Sequence, residues 1–130
     1  MSKIIIAGGP RTSKTTYANK LSKELNIPVV STDNFIACGW SEAPHEIIKA
    51  IENMPSYILE GVNAGRTIRK MVEKNIKLDF DKVYYLEEPV VEYDKKGQAA
   101  LAKGCSTVWM DVIPSLDDAG IEVIYGLPKE

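Results

Sequence analysis

Five short apolar runs, separated by stretches with helical spacing, constrain the fold of this chain more than any other feature. The runs are rich in β-branched and aromatic residues, and most are apolar throughout rather than at alternate positions. Such runs are typical of strands that are buried on both faces, as in a parallel sheet covered by helices. The predicted strands are residues 3–7, 28–31, 56–59, 82–86 and 121–125.

Apolar residues in the intervening stretches recur on one face of a helix. Pro44 suits a first helical turn, Gly120 suits a helix end, and Pro114 predicts a kink or two shorter helices in the last stretch. With right-handed crossovers, this alternation predicts one three-layer α/β domain over residues 1–130. The apolar stripes are Tyr17, Leu21 and Leu25; Ile47, Ile48, Ile51 and Met54; and Ile68, Met71, Val72 and Ile76.

Charge, cysteine content and hydropathy limit the classes of partner. The chain has 16 basic and 18 acidic residues, a formal net charge of -2, so no overall positive field would attract a long nucleic acid. Cys38 and Cys105 form no CxxC pair, which argues against a zinc site and suits a reducing compartment. No stretch approaches the roughly 20 apolar residues that span a membrane, and the N-terminal run is too short for a signal peptide. We therefore expect a cytoplasmic protein.

The stretch AGGPRTSKTT, residues 7–16, has the features of a phosphate-binding loop. It follows a predicted strand, exposes backbone N–H groups at glycines, and opens a helix whose N-terminus faces the anion. Lys14 would bridge the outer phosphates of ATP or another nucleoside triphosphate, and the hydroxyl of Thr15 would hold Mg²⁺. The residues predicted to bind the nucleotide are Gly8, Gly9, Pro10, Arg11, Thr12, Ser13, Lys14, Thr15 and Thr16.

Two readings of this loop stay open at the level of sequence. Ser13 stands where the usual pattern has a second glycine, which keeps the backbone donor but adds a side chain close to the phosphates. A glycine-rich turn from strand to helix can also serve packing alone.

Acidic residues follow the second and third predicted strands. Ligands of open parallel sheets bind at the carboxyl ends of the strands, so Asp33 and Glu60 would lie at the same edge as the loop. A carboxylate there can orient the ligands of a magnesium ion or accept the proton of an attacking hydroxyl. The alternatives are a turn cap for Asp33 and a solvated strand end for Glu60.

These segments together resemble the P-loop kinases of small metabolites, nucleosides and nucleotides, including their Walker A motif. The resemblance implies the strand order 2-3-1-4-5. It also implies that Asp33 is the catalytic base, that Glu60 helps to hold magnesium, and that Arg66 contacts substrate or phosphate, with Arg69 a weaker candidate. An exposed basic helix face is the alternative for both arginines.

A second resemblance runs along nearly the whole chain. The segments GWSE, EGV and GQAALAKGCSTVW are similar to those of uncharacterised phage and prophage proteins labelled AAA-family ATPases. This resemblance implies a P-loop fold, and the host cytoplasm if the protein is phage-encoded, but no substrate. We do not expect an AAA machine, because the 130 residues leave no room for the helical C-terminal domain of that class.

Residues 89–119 occupy the place of the lid that closes over the triphosphate in such kinases. This stretch contains no arginine, and its cations are Lys95, Lys96 and Lys103. Lysine substitutes poorly for arginine where two parallel hydrogen bonds to phosphate are needed. The same stretch could serve as a partner surface, a wall of the substrate pocket or a solvated helix.

Three aromatic side chains are further candidates for roles at the site. Trp40 and Trp109 could stack on a ring of a ligand, or they could pack in the interior. His45 has no partner at metal or triad spacing, and we interpret it as structural.

Three functions remain as hypotheses. The first is an ATP- and magnesium-dependent phosphotransferase, or kinase, acting on a small hydroxylated substrate such as a nucleoside or nucleotide. The second is a nucleotide-binding regulatory or interaction protein with little transfer activity, motivated by Ser13 and the arginine-free lid. The third is a polynucleotide 5'-hydroxyl kinase, which the acidic balance disfavours. A protein partner or a homo-oligomer is compatible with each hypothesis.

Overall fold

The computed structural model describes residues 2–9, 14–39, 42–86 and 96–126. Strands and helices alternate along the chain, as the apolar pattern predicts. A short 3₁₀ helix, Thr32–Cys38, follows the second strand and was not predicted. The elements are β1 (Lys3–Gly8), α1 (Lys14–Leu25), β2 (Val29–Ser31), α2 (Ala43–Ile51), β3 (Tyr57–Gly61), α3 (Ala64–Glu73), β4 (Lys82–Leu86), α4 (Lys96–Asp118) and β5 (Val123–Tyr125).

The strands form one parallel sheet in the order β2-β3-β1-β4-β5, which confirms the predicted α/β fold and strand order. The middle strand, β1, pairs with β3 on one side and β4 on the other, so that Ile5 lies beside both Leu59 and Val83. A strand with neighbours on both sides and helices on both faces has no edge exposed to water. This explains why residues 4–7 are buried throughout.

Helices cover the two faces of the sheet unequally. Residues of α2, α3 and α4 pack with Ile5, Leu59 and Val83 in the larger core cluster. The smaller cluster lies on the opposite face, where Ala18 of α1 packs against Ile6 and other residues of the sheet. The sheet is therefore the middle of three layers.

Helix α4 runs without interruption through Pro114, so the prediction of two shorter helices is wrong. Pro114 and Met110 both lie on the exposed side of α4. Because proline has no N–H, position 114 cannot donate the usual helical hydrogen bond to the carbonyl of Met110. Water can satisfy that carbonyl, while the buried side chains of Val112 and Leu116 hold the helix on the sheet. Pro44 lies in the first turn of α2, as predicted. None of the helices in the described ranges is long and apolar enough to cross a membrane.

Candidate functional site

The predicted phosphate loop begins where β1 ends against β4. Gly8 has a φ of 144°, and a Cβ at this position would lie 2.0 Å from the backbone oxygen of Leu86, so only glycine fits. The N–H of Gly9 donates to the same oxygen at 3.3 Å. The start of the loop is therefore held against β4 by close packing at Gly8 and by the hydrogen bond from Gly9. The predictions for Pro10, Arg11, Thr12 and Ser13 fall outside the described residues.

Lys14 is the first residue of α1, and its side chain turns back over the loop. Only 7% of Lys14 is exposed, and its Nζ donates a hydrogen bond to the carbonyl oxygen of Gly9. Burial lowers the pKa of Lys14, while the nearby charges of Glu60, Cys105 and Asp33 act in the opposite direction. The geometry thus holds a buried ammonium group against the carbonyl of Gly9, at the start of the loop.

Thr15 and Glu60 connect α1 to the end of β3. The hydroxyl of Thr15 donates to Oε2 of Glu60 at 3.2 Å, and Glu60 is 1% exposed, so it is not a solvated strand end. Its Oε1 is buried without a hydrogen-bond partner in the described part of the chain. A hydroxyl and a carboxylate are oxygen ligands of the kind that Mg²⁺ prefers, so these residues fit a magnesium ion. Thr16 follows in the same helical turn and is exposed.

Asp33 lies in the first turn of the 3₁₀ helix, immediately beyond β2. Ser31, the last residue of β2, pairs in register with Glu60, which places the two strand ends side by side. Asp33 is exposed. A turn cap would need its carboxylate to accept a hydrogen bond, and among the described residues it accepts none. Its charge acts on Lys14. The structure therefore brings Asp33, Glu60, Lys14 and Thr15 to one edge of the sheet.

The two predicted arginines have different surroundings. Arg66, in the first turn of α3, is half-buried, and its Nη2 would lie 3.6 Å from a Cβ built on Gly104 of α4. Arg69 lies one turn further on, with its Nη1 3.7 Å from Oδ2 of Asp111, and the two side chains are 42% and 59% exposed. This contact favours an exposed helix face for Arg69, whereas Arg66 lies toward the site.

The first half of α4 packs beside the candidate site, as one of the alternatives for residues 89–119 allowed, although no residue there was singled out for this contact. A Cβ on Gly9 would lie 3.2 Å from that of Ala102, so α4 packs directly on the loop. The thiol of Cys105 donates to the backbone oxygen of Val62 at 3.5 Å. Burial raises the pKa of Cys105, and the charges of Arg66 and Lys14 oppose that rise. The small residues in AALAKGC were the signal for this close packing.

The remaining candidates lie elsewhere or outside the described residues. Trp109 is 3% exposed and stacks on Tyr85, with ring centroids 4.5 Å apart. Of the two alternatives for this residue, the structure therefore shows packing in the interior and not stacking on a ligand. His45 is half-buried in α2, and Lys103 is exposed on α4. Within the described ranges, no three His, Cys, Asp or Glu residues are grouped to hold a metal ion. The predictions for Trp40 and Lys95, and for the side chains of Cys38 and Lys96, lie outside what the structure describes.

Solved structures share this fold, although the sequence comparisons find no relative. No protein-family model matches the sequence, and no curated protein matches it significantly. A gluconokinase from Sinorhizobium meliloti 1021 has a TM-score of 0.66 at 8% identity, covering 98% of this chain and 84% of that chain. Shikimate kinase from Acinetobacter baumannii, in complex with shikimate, has a TM-score of 0.61 at 12% identity, covering 99% and 86%.

Shikimate kinase from Aquifex aeolicus vf5 has a TM-score of 0.57 at 13% identity, covering 98% of this chain and 87% of that chain. At such low identities the likeness shows that the chain has the fold of these small-molecule kinases and shows nothing finer. The resemblance to phage and prophage proteins is untested by these findings and stays a prediction.

Proposed function

We propose that this protein is a phosphotransferase that uses ATP, or another nucleoside triphosphate, and magnesium to phosphorylate a hydroxyl group of a small molecule. The observation that carries the proposal is the buried Lys14 ammonium at the loop, one residue before the contact between Thr15 and Glu60. A cation, a hydroxyl and a carboxylate in this order bind the phosphates and the magnesium ion of a nucleotide. The solved structures with the same fold include kinases named for gluconate and shikimate, which are small hydroxylated acceptors.

Each residue at this edge has a part in the proposed reaction. Lys14 and the backbone N–H groups of the loop bind the phosphates, and Thr15 and Glu60 hold magnesium, which neutralises charge on the phosphate oxygens. Asp33 accepts the proton of the acceptor hydroxyl as its oxygen bonds to the γ-phosphorus. The bond from that phosphorus to the β–γ bridging oxygen breaks, and the nucleoside diphosphate leaves. Arg66 offers a second cation for phosphate or substrate.

Binding is tested by thermal shift with ATP, with and without magnesium. The unsubstituted protein should be stabilised by ATP with magnesium, and Lys14→Ala should lose that stabilisation. Lys23→Ala, an exposed lysine in the last turn of the same helix, is the matched control and should keep it. Absence of any shift in the unsubstituted protein would rule out the nucleotide site.

Transfer is tested by the formation of ADP with a panel of small acceptors. Asp33→Asn should abolish acceptor-dependent ADP formation while keeping the thermal shift, because the amide cannot accept the hydroxyl proton. Unchanged transfer in this variant would remove Asp33 as the base.

A nucleotide-binding regulatory protein is the second candidate, because residues 89–119 offer only lysines to the triphosphate. A retained thermal shift with no ADP formation from any acceptor, together with a specific protein partner, would favour it. We propose the cytoplasm as the location for either function, because two cysteines without a CxxC pair suit reducing conditions.

A further inference from the structure

Two buried polar side chains near the candidate site have no hydrogen-bond partner in the described part of the protein. The nucleotide contacts proposed above do not supply one. Thr32, between β2 and Asp33, is 0% exposed, and Asn63, two residues beyond β3, is also 0% exposed. Neither Oγ1 of Thr32 nor either amide atom of Asn63 has a hydrogen-bond partner in the described part of the protein. Buried polar groups without partners are costly and rare, so both need a physical reason.

Thr32 and Asn63 both neighbour Gly61, Thr32 through space and Asn63 along the chain. Gly61 has a φ of 137°, and a Cβ on it would lie 1.8 Å from Oγ1 of Thr32. The hydroxyl of Thr32 therefore lies directly against the last residue of β3. Asn63 follows Gly61 after one residue and is the N-cap residue that precedes α3.

Asn63 does not use its side chain as helix-starting asparagines commonly do. An asparagine at this position usually accepts a hydrogen bond from an N–H in the first turn, but no such side-chain bond is present. Its backbone oxygen instead accepts bonds from both the N–H and the hydroxyl of Thr67, each at 2.9 Å. Since α3 begins without help from the amide, the amide is left for another partner.

We propose that Thr32 and Asn63 form a subsite for a second hydroxyl group of the acceptor, beside the hydroxyl that faces Asp33. This inference rests on the proposed function and narrows its substrate to a compound with at least two neighbouring hydroxyls. A hydroxyl both donates and accepts hydrogen bonds, and so do the threonine hydroxyl and the asparagine amide. A phosphate or carboxylate needs donors only, which Lys14 and Arg66 already supply.

The stability of near-isosteric variants tests whether the two groups are unpaired. Thr32→Val and Asn63→Leu keep the volume and remove the polar atoms, so each should raise Tm, by about 3 °C or more. Thr67→Val is the matched control, because Thr67 is equally buried but hydrogen-bonded, and it should not raise Tm. A fall in Tm for both site variants would overturn the proposal, because it would mean that buried water already pairs these groups.

Acceptor discrimination tests the ligand class. The probes are D-ribose, D-gluconate, shikimate and a ribonucleoside, each beside an analogue that lacks one hydroxyl next to the one phosphorylated. The unsubstituted protein should prefer the full compound by about 10- to 100-fold in kcat/KM, and this preference should collapse in Thr32→Val and Asn63→Leu. Equal discrimination in protein and variants would refute the subsite.

The two hypotheses fail in different ways. If ATP with magnesium gives no thermal shift, or if no probe is phosphorylated, the proposed function fails and the subsite claim falls with its substrate. If transfer occurs and the thermal shift with ATP is unchanged in Thr32→Val, but the preference for the diol persists, only the subsite claim is refuted.

Discussion

The close approach of β1 to β4 at Gly8 predicts a large loss of stability for Gly8→Ala. The new Cβ would lie 2.0 Å from the backbone oxygen of Leu86, and must reach about 3.0 Å, so the chains have to separate by about 1 Å. The positive φ adds backbone strain of roughly 1–3 kcal/mol. Separation also weakens the bond from the N–H of Gly9 to Leu86, which is worth about 1 kcal/mol. The free energy of unfolding should therefore fall by about 2–4 kcal/mol.

Urea unfolding followed by far-ultraviolet circular dichroism measures this loss, which corresponds to a fall in Tm of about 8–16 °C. Gly120→Ala is the matched control, because Gly120 also has a positive φ, of 71°, but a Cβ there meets nothing within 4 Å. The control should lose only about 1 kcal/mol. If Gly8→Ala costs no more than Gly120→Ala, the contact with Leu86 does not determine the residue at this position.

Three further predictions concern the site lysine and the packing of α4. Burial lowers the pKa of Lys14, so the free energy of unfolding should rise with pH between that lowered pKa and 10.5. Over the same range the affinity for ATP should fall, because Lys14 loses its proton. An ATP affinity that stays constant up to pH 10.5 would contradict this prediction. Arg69→Ala should change the unfolding free energy by less than about 1 kcal/mol, since its contact with Asp111 is exposed, and a larger loss in urea would show a deeper role. Trp109→Ala should cost about 3–5 kcal/mol in the same assay, because the ring is buried against Tyr85, and a cost below about 1 kcal/mol would show that the stack adds little.

The strands were predictable because burial on both faces leaves an unbroken apolar run. Residues 4–7 satisfy that pattern and are buried throughout, and residues 82–86 have the predicted bounds. Local pattern failed at Pro114, where the missing hydrogen bond falls on the exposed side of α4. It also missed the 3₁₀ helix after β2, whose polar start resembles an ordinary turn. In both cases solvent exposure and tertiary packing, rather than propensity, set the outcome.

Candidate site residues in or next to the loop were easier to predict than candidates that other elements contribute. Lys14 and Thr15 follow from the loop pattern, and Glu60 follows from the rule that ligands bind at strand ends. The burial of Glu60 depends on the pairing of β3 with β1 and β2. The residues next to Glu60 in the sequence do not indicate that pairing. The contact of Cys105 with Val62 depends on how α4 packs, 43 residues away along the chain. Small residues signal that a close approach is allowed and leave its partner unspecified.

The opposing effects of burial and of nearby charges on the pKa of Lys14 connect folding stability with the proposed binding of a nucleotide. Burial lowers the pKa of Lys14 although Glu60, Cys105 and Asp33 all act to raise it, so the cost of burying the ammonium group exceeds what these neighbours return. A phosphate group at the loop adds negative charge next to that ammonium group and should restore its pKa. If ATP binds as proposed, it should offset part of the free-energy cost of burying the charged Lys14. The gain in Tm with ATP and magnesium should then shrink at alkaline pH, where loss of the proton has already removed that cost.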